Sequence, residues 1–486
     1  MATLGAAQSG AAQQQQPVAL TLEQAVATAR EGNPDLLAQR NDQRSSRAAT
    51  RAARADLMLP SASVDANFGY TGSGVQRFGS EVFGVRPQYY SSGYSVGLQY
   101  DFSGSKLMQP RIARAQENAT IRRVEGYEAN MVSRVAQQYL TALQAGELAA
   151  QAEREVARTV EHERLAKARL DVGVGTPLDL RRAEVQRGQA EVTLLQQRNA
   201  YATEVLRLGL AMGRSIPADT RLTSSFTLFE PRWTAEQLVE MAQGNNPNLA
   251  SARANVSAAR TGISAARTQY LPTVSLSAGI RGSVYSAGNL NPLYDDALGN
   301  TASRYQGCLQ GNQLNALLGN PQQSCSQLDV ANPVVADSVR GAVRAGNPSF
   351  PFGYERQPLS AGLSFSLPLF NGLQRERRIE EARVGAQDAE LQLRSQELTL
   401  RTDVETSLLG LRTAYGAAQL QDRVVERATE ELRLAQERFR FGAASSVEVI
   451  DAQTSLREAE RARIDAVYNF HKSLAALEAL VGRSLR

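Results

Sequence analysis

Among the ionisable groups of this sequence, the carboxylates of Glu448 and Asp451 have the spacing best suited to acting together on ions. They are three positions apart in the stretch SSVEVIDAQ, and residues three apart share one face of a helix. A cluster of such carboxylates attracts cations and repels anions. The alternative interpretation is that both are surface acids that compensate the positive end of a helix dipole.

No other residues form a catalytic or metal-binding pattern. The sequence contains no G-x-S-x-G, no Walker sequence and no H-E-x-x-H. Its two histidines, His162 and His471, have no Cys, Asp or Glu at the spacing of metal ligands, so we interpret them as solvated or packed helix residues. The sequence therefore predicts no catalytic residue, no metal site and no cofactor, and gives no support to an enzyme.

The composition is typical of long helices. The 486 residues carry a net charge of only +4, and aromatic residues make up 6%. Runs rich in Ala, Gln, Arg and Glu are characteristic of coiled coils. Arginine alternates with Glu along these runs, so we expect no nucleic-acid partner. Residues 1–20, rich in Gln and small side chains, are expected to be a disordered N-terminal segment.

Two turns must position the charged groups, and each joins a long helix to a shorter one. Gly173 and Gly442 suit the left-handed conformation that ends a helix, while Thr176 and Ser445 suit the cap of the next helix. The two turns match without any change of register, and Asp179 occupies the position that corresponds to the first acid of the pair. The tips comprise Gly173, Val174, Gly175, Thr176, Gly442, Ala443, Ala444 and Ser445.

This correspondence extends along the whole chain and predicts an internal duplication. The stretch from Thr234 repeats the stretch from Thr21, including an Asn-Pro pair that should interrupt the helix. We therefore expect a first repeat at 21–213, an inter-repeat segment at 214–233 and a second repeat at 234–486.

Helix lengths follow one rule in both repeats. The predicted helices at 105–170 and 372–441 would each span roughly 100 Å at 1.5 Å per residue. The other predicted helices are about half as long: 21–57, 178–213, 234–269 and 447–482. Two short helices placed end to end would match one long one. Apolar residues spaced three and four apart also predict coiled-coil packing. They are Val467, Phe470, Leu474, Leu477 and Val481.

Four segments change from helical periodicity to strict alternation, with one apolar face and one face of small polar residues. Strands of about ten residues with this pattern fit a transmembrane barrel, although amphipathic hairpins on a soluble core are the alternative. Four strands are too few to close a barrel, and lipid does not tolerate open edges, so several copies must pool their strands. The positions expected to face lipid are Val64, Phe68, Val96, Leu98, Tyr100, Leu276, Ile280, Leu363 and Phe365.

Several motifs together resemble the TolC family of outer-membrane efflux and secretion channels. They are the opening LTLEQAV with its NPDL, SLPLFNG at 366–372 and FGAASSVEVIDAQ at 441–453. The resemblance implies a mostly α fold with a membrane β-barrel. Long coiled-coil helical hairpins plus four β-strands per chain would form, in a homotrimer, a 12-stranded barrel and an α-helical periplasmic tunnel.

The resemblance also implies a location and partners. The location is the cell outer membrane, whose lipid surrounds the barrel, with the helices in the periplasm. The partners are a periplasmic adaptor (membrane fusion) protein, which would contact the hairpin tips, and an inner-membrane pump of the RND or ABC type.

A periplasmic gate at the tips is a further implication, with the acid pair pointing into the narrow end of the tunnel. Some family members tie the closed gate with an Arg and a Tyr. This chain has Ala444 and Phe439 at those positions, although it keeps the acceptor, Asp179. Neither side chain can form the tie. We therefore expect a weaker lock or another donor, with Arg440 as the candidate.

One connection between strands breaks the symmetry of the repeats. It spans 283–357 and is rich in Gly, Asn, Pro and Ser. The resemblance makes it an extracellular loop. Cys308 and Cys325, the only cysteines, should form a disulfide there because that side is oxidising and the spacer between them is ample.

The favoured function is a passive outer-membrane exit duct for small molecules in a tripartite efflux pump. A second interpretation within the family is the outer-membrane component of type I protein secretion. A third, from another class, is a coiled-coil structural scaffold without a channel. The sequence does not separate the first two, because the inner-membrane pump selects the substrate.

Overall fold

The structure is a computed structural model that describes residues 19–78 and 81–485. Most of the segment predicted to be disordered, 1–20, lies outside the described residues. For Ala19 and Leu20 the prediction was wrong, because their backbone pairs with Arg221–Leu222 in a short parallel ladder.

The described residues form two units, one mostly helical and one built on a sheet. The helical unit takes in residues up to Ala52, Pro110–Arg267 and those from Gln374 onward, and the sheet unit takes in Ala53–Gln109 and Thr268–Leu373.

The helices agree with most of the expected lengths. They are α1 (Leu22–Gly32), α2 (Pro34–Met58), α3 (Gly104–Asp171), α4 (Pro177–Met212), α5 (Ala235–Asn245), α6 (Pro247–Arg267), α7 (Asn291–Leu317), α8 (Pro333–Ala345), α9 (Gln374–Arg440) and α10 (Ser446–Val481). Among the described residues, no helix is both long enough and apolar enough to cross a membrane.

The breaks expected at the two Asn-Pro pairs are present and join short helices end to end. Asn33 ends α1, and its Nδ2 donates to the carbonyl of Ala211 in the last turn of α4 at 3.1 Å. Asn246 does the same in the second repeat, donating to the carbonyl of Leu480 in α10 at 2.8 Å. Thus α2 begins where α4 ends, and α6 begins where α10 ends.

Far from the tips, the helices lie side by side in the order α2, α3, α6, α9. Arg47 of α2 lies 3.7 Å from a carboxylate of α3. Asn130 of α3 donates to an asparagine of α6 at 3.3 Å. Arg260 of α6 lies 2.8 Å from a carboxylate of α9. Each helix is therefore tied to its neighbour by polar side chains.

Towards the tips the order is α4, α3, α10, α9. Arg187 of α4 lies 3.2 Å from a carboxylate of α3, and Arg158 of α3 lies 2.8 Å from a carboxylate of α10. Helices α9 and α10 share an apolar cluster that includes Leu432 and Val449. The free edges of the row are therefore α4 and α9.

Two apolar clusters stabilise the middle of the helical unit, where α1 and α5 pack. In one, buried Tyr139 donates its hydroxyl hydrogen to the carbonyl of Leu20 at 2.9 Å. In the other, Phe470 and Leu474 of α10 pack against α5 and α9, as the coiled-coil spacing predicts. His471 is buried beside Phe226, with ring centroids 5.3 Å apart, so its interpretation as a packed helix residue is confirmed.

Strands of the sheet unit pair antiparallel in the order β2, β5, β7, β9, and β8 also pairs with β7. The strands of the chain are β1 (Ala19–Leu20), β2 (Ser61–Thr71), β3 (Gly74–Phe78), β4 (Glu81–Arg86), β5 (Tyr89–Phe102), β6 (Arg221–Leu222), β7 (Thr273–Ala287), β8 (Glu355–Arg356) and β9 (Ser360–Ser366).

The register separates two faces. Val64, Val96 and Ile280 lie in one row across three strands, and all nine positions expected to face lipid share that side. The next row contains Ser63 and Gly97, followed by Gly279 and Ser360. One face is therefore apolar and the other small and polar, as the alternation predicts.

The expected bounds of the connections between strands were wrong. The segment 283–357 is not a loop throughout, because β7 continues to Ala287 and α7 and α8 follow. Proline lies in the first turn of both helices, and the side chain of Asn332 caps α8. In the first repeat, β5 begins at Tyr89, and β3 and β4 pair antiparallel before it. Strand β9 ends at Ser366, because the following Leu-Pro pair cannot supply a proline N–H to the ladder.

Candidate functional site at the hairpin tips

Tip 1 is the turn between α3 and α4. Gly173 has a φ of +79°, a conformation that costs other residues about 1–2 kcal/mol. The N–H of Val174 donates to the carbonyl of Arg169 at 2.9 Å. Thr176 then caps α4, because its hydroxyl oxygen accepts from the N–H of Asp179 at 3.2 Å. The hydroxyl donates in turn to the Asp179 carboxylate at 2.6 Å.

Tip 2, the turn between α9 and α10, repeats this construction. Gly442 has a φ of +77°, and the N–H of Ala443 donates to the carbonyl of Arg438 at 2.8 Å. The backbone N–H of Ser445 donates to the Glu448 carboxylate at 3.3 Å, and the serine hydroxyl accepts from the N–H of Glu448 at 3.4 Å. All eight residues expected at the tips lie in these two turns or their caps.

The predicted acid pair lies exposed at the start of α10, but its two charges have different surroundings. Glu448 caps the helix and lies 3.1 Å from the guanidinium of Arg438. Asp451 makes no ion pair with any residue in the described part of the chain. Within one chain, therefore, Asp451 carries the less compensated charge.

A contact between the two hairpins lies just behind the tips and centres on Arg169 of α3. Its guanidinium donates to the backbone carbonyl of Phe439 in α9. It also lies over the ring of Phe439, 4.4 Å from the centroid, and donates to the carbonyl of Val174 at 3.4 Å. One side chain thus joins tip 1 to α9.

His162 lies one heptad before Arg169 on α3 and is buried in the same contact. Its Nε2 is 3.3 Å from the hydroxyl of Ser446, and its ring centroid is 5.6 Å from that of Phe439. Burial lowers the pKa of His162, while the carboxylate of Asp179 acts in the opposite direction. The neutral imidazole therefore suits the closed contact.

Polar side chains continue this interface away from the tips. Arg158 makes two hydrogen bonds to Glu460 of α10, at 3.0 and 2.8 Å, and also pairs with Glu155 at 2.8 Å. Farther on, an apolar cluster around Leu140 and Ile464 takes over. Near the tips, Leu165 of α3 packs against the apolar cluster of α9 and α10, and the other contacts between the hairpins are hydrogen bonds and charges that water can replace.

No cluster of three or more His, Cys, Asp or Glu in the described residues could hold a metal ion. The arrangement can attract ions by charge and can open by exchanging polar contacts. In the sheet unit, Cys308 and Cys325 are joined by a disulfide.

Comparison with known proteins identifies this architecture. The protein family described as "outer membrane efflux protein" matches residues 25–214, 238–313 and 334–483 of this chain. The chain belongs to this family. The outer membrane efflux proteins are channels and not enzymes. The chain is located in the cell outer membrane. The matched stretches include parts of both repeats.

Individual relatives are distant in sequence. The outer membrane efflux protein BepC of Brucella suis is 27% identical over 263 residues, which cover 52% of this chain and 56% of BepC. The chain therefore spans little more than half the length of this curated relative.

Solved structures share the fold over nearly the whole chain. The outer membrane protein VceC of Vibrio cholerae superposes with a TM-score of 0.66 at 16% identity, covering 96% of this chain and 97% of VceC. The Campylobacter jejuni CmeC outer membrane channel has a TM-score of 0.67 at 15% identity, covering 95% of this chain and 85% of CmeC. The expected fold class is confirmed.

The tie between hairpins in this efflux-family chain differs from the one expected. Arg440 is exposed and makes no hydrogen bond or ion pair with Asp179 in the described residues. Arg169 makes the contact within the chain. The role of Arg440 in the gate stays a prediction.

A signal for Arg169 was present in the sequence. Arg169 and Arg438 occupy corresponding positions in the two repeats, each four positions before a tip glycine. Each donates to the carbonyl five positions on, at 3.4 and 3.1 Å. The repeat could have identified both arginines as parts of the turns. It could not show that only Arg169 reaches the other hairpin.

Proposed function

We propose that the chain is the outer-membrane exit duct of a tripartite efflux pump, through which small molecules leave passively. The supporting observation is the sheet, which is apolar on one face, small and polar on the other, and open at the edges of β2 and β9. In lipid, unpaired N–H and C=O groups at such edges are costly. Copies of the chain would therefore join edge to edge and enclose a polar passage.

The free edges of the helical row support a homotrimer. On α4, three apolar side chains at heptad spacing are more than half exposed: Leu178, Val185 and Val192. On α9, Leu420 and Leu434 are 55% and 47% exposed and two heptads apart, in the half of the helix that lies beside α10. Heptad spacing forms the stripe by which helices pack into coiled coils. We propose that α4 of one copy packs against α9 of the next.

Both tips present apolar side chains suited to a protein partner. Val174 of tip 1 is 65% exposed, and Phe441 of tip 2 is 88% exposed. Exposed aromatic residues are the usual anchors of protein interfaces. We propose that the tips bind a periplasmic adaptor, which links the duct to an inner-membrane pump of the RND or ABC type.

The acid pair is the proposed ion-selective constriction. Three copies would place six carboxylates of Glu448 and Asp451 around one axis, where they favour cations. Since Arg438 offsets Glu448, Asp451→Asn should reduce cation selectivity more than Glu448→Gln. Reversal potentials in a salt gradient across a planar bilayer measure this. Glu430→Gln, an acid on α9 away from the tip, is the matched control, and a control as damaging as Asp451→Asn would refute the constriction.

Conductance tests the duct itself. The purified chain in a planar bilayer should give discrete channels whose conductance falls when Gln99, on the polar face of the sheet, is replaced by Arg. A scaffold gives no conductance. Type I secretion predicts that a deletion strain loses an exported protein while its sensitivity to small toxic compounds is unchanged, and that result would replace efflux by secretion.

A further inference from the structure

Contacts to α1 and α5 define one side of the helical row, called here the α1 face. Arg40 of α2 donates to the carbonyl of Arg30 in α1 at 2.9 Å, and both arginines pair with Glu128 of α3. Arg253 of α6 donates to the carbonyl of Gln243 in α5 at 2.8 Å, the matching contact of the second repeat. These contacts fix which side of α2, α3 and α6 belongs to the α1 face.

Arginines continue along this face towards the ends of the helices that lead to strands. Steps of three, four or seven positions keep side chains on one side of a helix. The steps lead to Arg47, Arg51 and Arg54 on α2, to Arg114 and Arg111 on α3, and to Arg260 and Arg267 on α6. Between α3 and α6, a groove of about 770 Å³ is lined by four arginines and one carboxylate: Arg111, Arg114, Arg122, Arg253 and Glu125.

Five of these arginines carry uncompensated charge. Arg47, Arg122 and Arg260 pair with carboxylates at 3.7, 2.8 and 2.8 Å. The others are exposed and form no ion pair with any residue in 19–78 or 81–485. They are Arg51, Arg54, Arg111, Arg114 and Arg267, called here the arginine collar.

The excess of positive charge is restricted to three of the four helices. Segments 44–58, 104–122 and 257–267 together contain ten basic residues and two acidic ones. The corresponding part of α9, 374–390, contains four basic and five acidic residues. The collar is therefore a local feature and not a consequence of the arginine-rich composition.

All five collar residues lie close along the chain to a strand. Arg51 and Arg54 precede β2 by ten and seven positions, Arg111 and Arg114 follow β5 by nine and twelve, and Arg267 precedes β7 by six. At 1.5 Å per helical residue, each lies within roughly 20 Å of contour length from the strands. The collar thus adjoins the points where the chain enters and leaves the strands.

We infer that the arginine collar binds phosphate-bearing anionic lipid head groups of the periplasmic leaflet of the outer membrane. Guanidinium groups bind phosphate through paired hydrogen bonds, and exposed cations near an anionic bilayer are attracted over about 8–10 Å. An acidic protein is disfavoured as the occupant, because the charges recur on three helices at similar chain distances from the strands. Each of the three helices adjoins, along the chain, a strand that a bilayer would surround.

Binding of defined lipids to the purified full-length chain in neutral detergent tests this inference. Native mass spectrometry would compare phosphatidylglycerol with phosphatidylcholine. In the collar variant, all five arginines are replaced by Gln. The control variant replaces five exposed, unpaired arginines on helices nearer the tips: Arg154, Arg182, Arg423, Arg427 and Arg461.

The native chain should bind phosphatidylglycerol at least roughly tenfold more tightly than phosphatidylcholine, since each basic residue near an anionic surface contributes several-fold. The collar variant should lose that preference. The control variant, and a variant in which all five collar arginines are replaced by Lys, should keep it. Equal loss in collar and control variants, or none in the collar variant, would overturn the inference. So would binding of inorganic phosphate as tight as that of the lipid, since a free anion would then be the ligand.

Discussion

Replacing Arg169 by Ala should separate the two hairpins of each chain near the tips. The change removes the guanidinium that donates to the carbonyls of Phe439 and Val174 and lies 4.4 Å over the Phe439 ring. The adjoining contact of Arg158 with Glu460 is polar, whereas Leu165 of α3 packs against the apolar cluster of α9 and α10 and opposes separation.

The free energy lost per chain follows from these contacts. A hydrogen bond from a charged group contributes about 1.5–3 kcal/mol, and a partly exposed cation–π contact about 0.5–1 kcal/mol. The carbonyl of Phe439 still accepts from the N–H of Gly442 at 3.1 Å, so it is not left unsatisfied. We therefore expect a loss of about 2–3 kcal/mol, which shifts the equilibrium of the tip contact roughly 30- to 150-fold.

Two measurements check this shift. Spin labels at Val172→Cys and Phe441→Cys, one in each tip, report the distance between the hairpins, and single-channel recordings report the open probability. Arg438→Ala is the matched control, because Arg438 occupies the corresponding position but contacts only its own hairpin. If the control opens the tips as much as Arg169→Ala does, or if neither changes the distance, the reasoning is wrong.

Three further predictions follow from the contacts described. Burial lowers the pKa of His162, so its imidazole binds a proton more tightly when the tips are apart. The contact should therefore weaken as the pH falls below about 6.5, and spin-label distances should lose this pH dependence in His162→Gln. Leu98→Arg should cost roughly 2–4 kcal/mol in urea unfolding from lipid, while Gln99→Arg, on the opposite face, should fold normally and change conductance. Replacing Cys308 and Cys325 by Ser should lower the local stability of 288–354 by about 3 kcal/mol, which limited proteolysis of that segment measures. Light scattering should show that the oligomer stays intact.

Much of the fold was predictable because it depends on interactions within a few residues. The capping boxes, the left-handed glycines at both tips and the two Asn-Pro breaks are formed by neighbours in the chain. Alternation with a period of two identified which strand residues share a face, since that period is a property of the extended backbone. The repeat then extended each local prediction to a second copy.

The segment 283–357 was predicted poorly because its structure depends on interactions between residues far apart in the chain. Helix α7 has no clear apolar stripe, and its Gly and Asn residues disfavour helix in isolation. In α8 the spacing of Val335, Val339 and Ala342 was a helical signal that the prediction missed. The two helices pack against each other, and a disulfide across 17 positions ties α7 to the connection before α8. Interactions of that range are not visible in a local window.

The arginine collar depends partly on the sequence and partly on helix packing. Its spacing of three, four and seven positions is present in the sequence, and it guarantees that the arginines of each helix share a side. That the sides of α2, α3 and α6 coincide follows only from packing, through contacts such as that between Arg40 and Glu128, 88 residues apart.

The two tip arginines make the same distinction. Sequence alone determined that Arg169 and Arg438 stand four positions before a glycine and reach the carbonyl beyond it, because that contact closes within a single turn of chain. Tertiary structure decided that Arg169 also reaches Phe439, 270 positions away, whereas Arg438 stays within its own hairpin. Identical local geometry cannot specify such a partner, since only the packing of one hairpin against the other brings that carbonyl within reach.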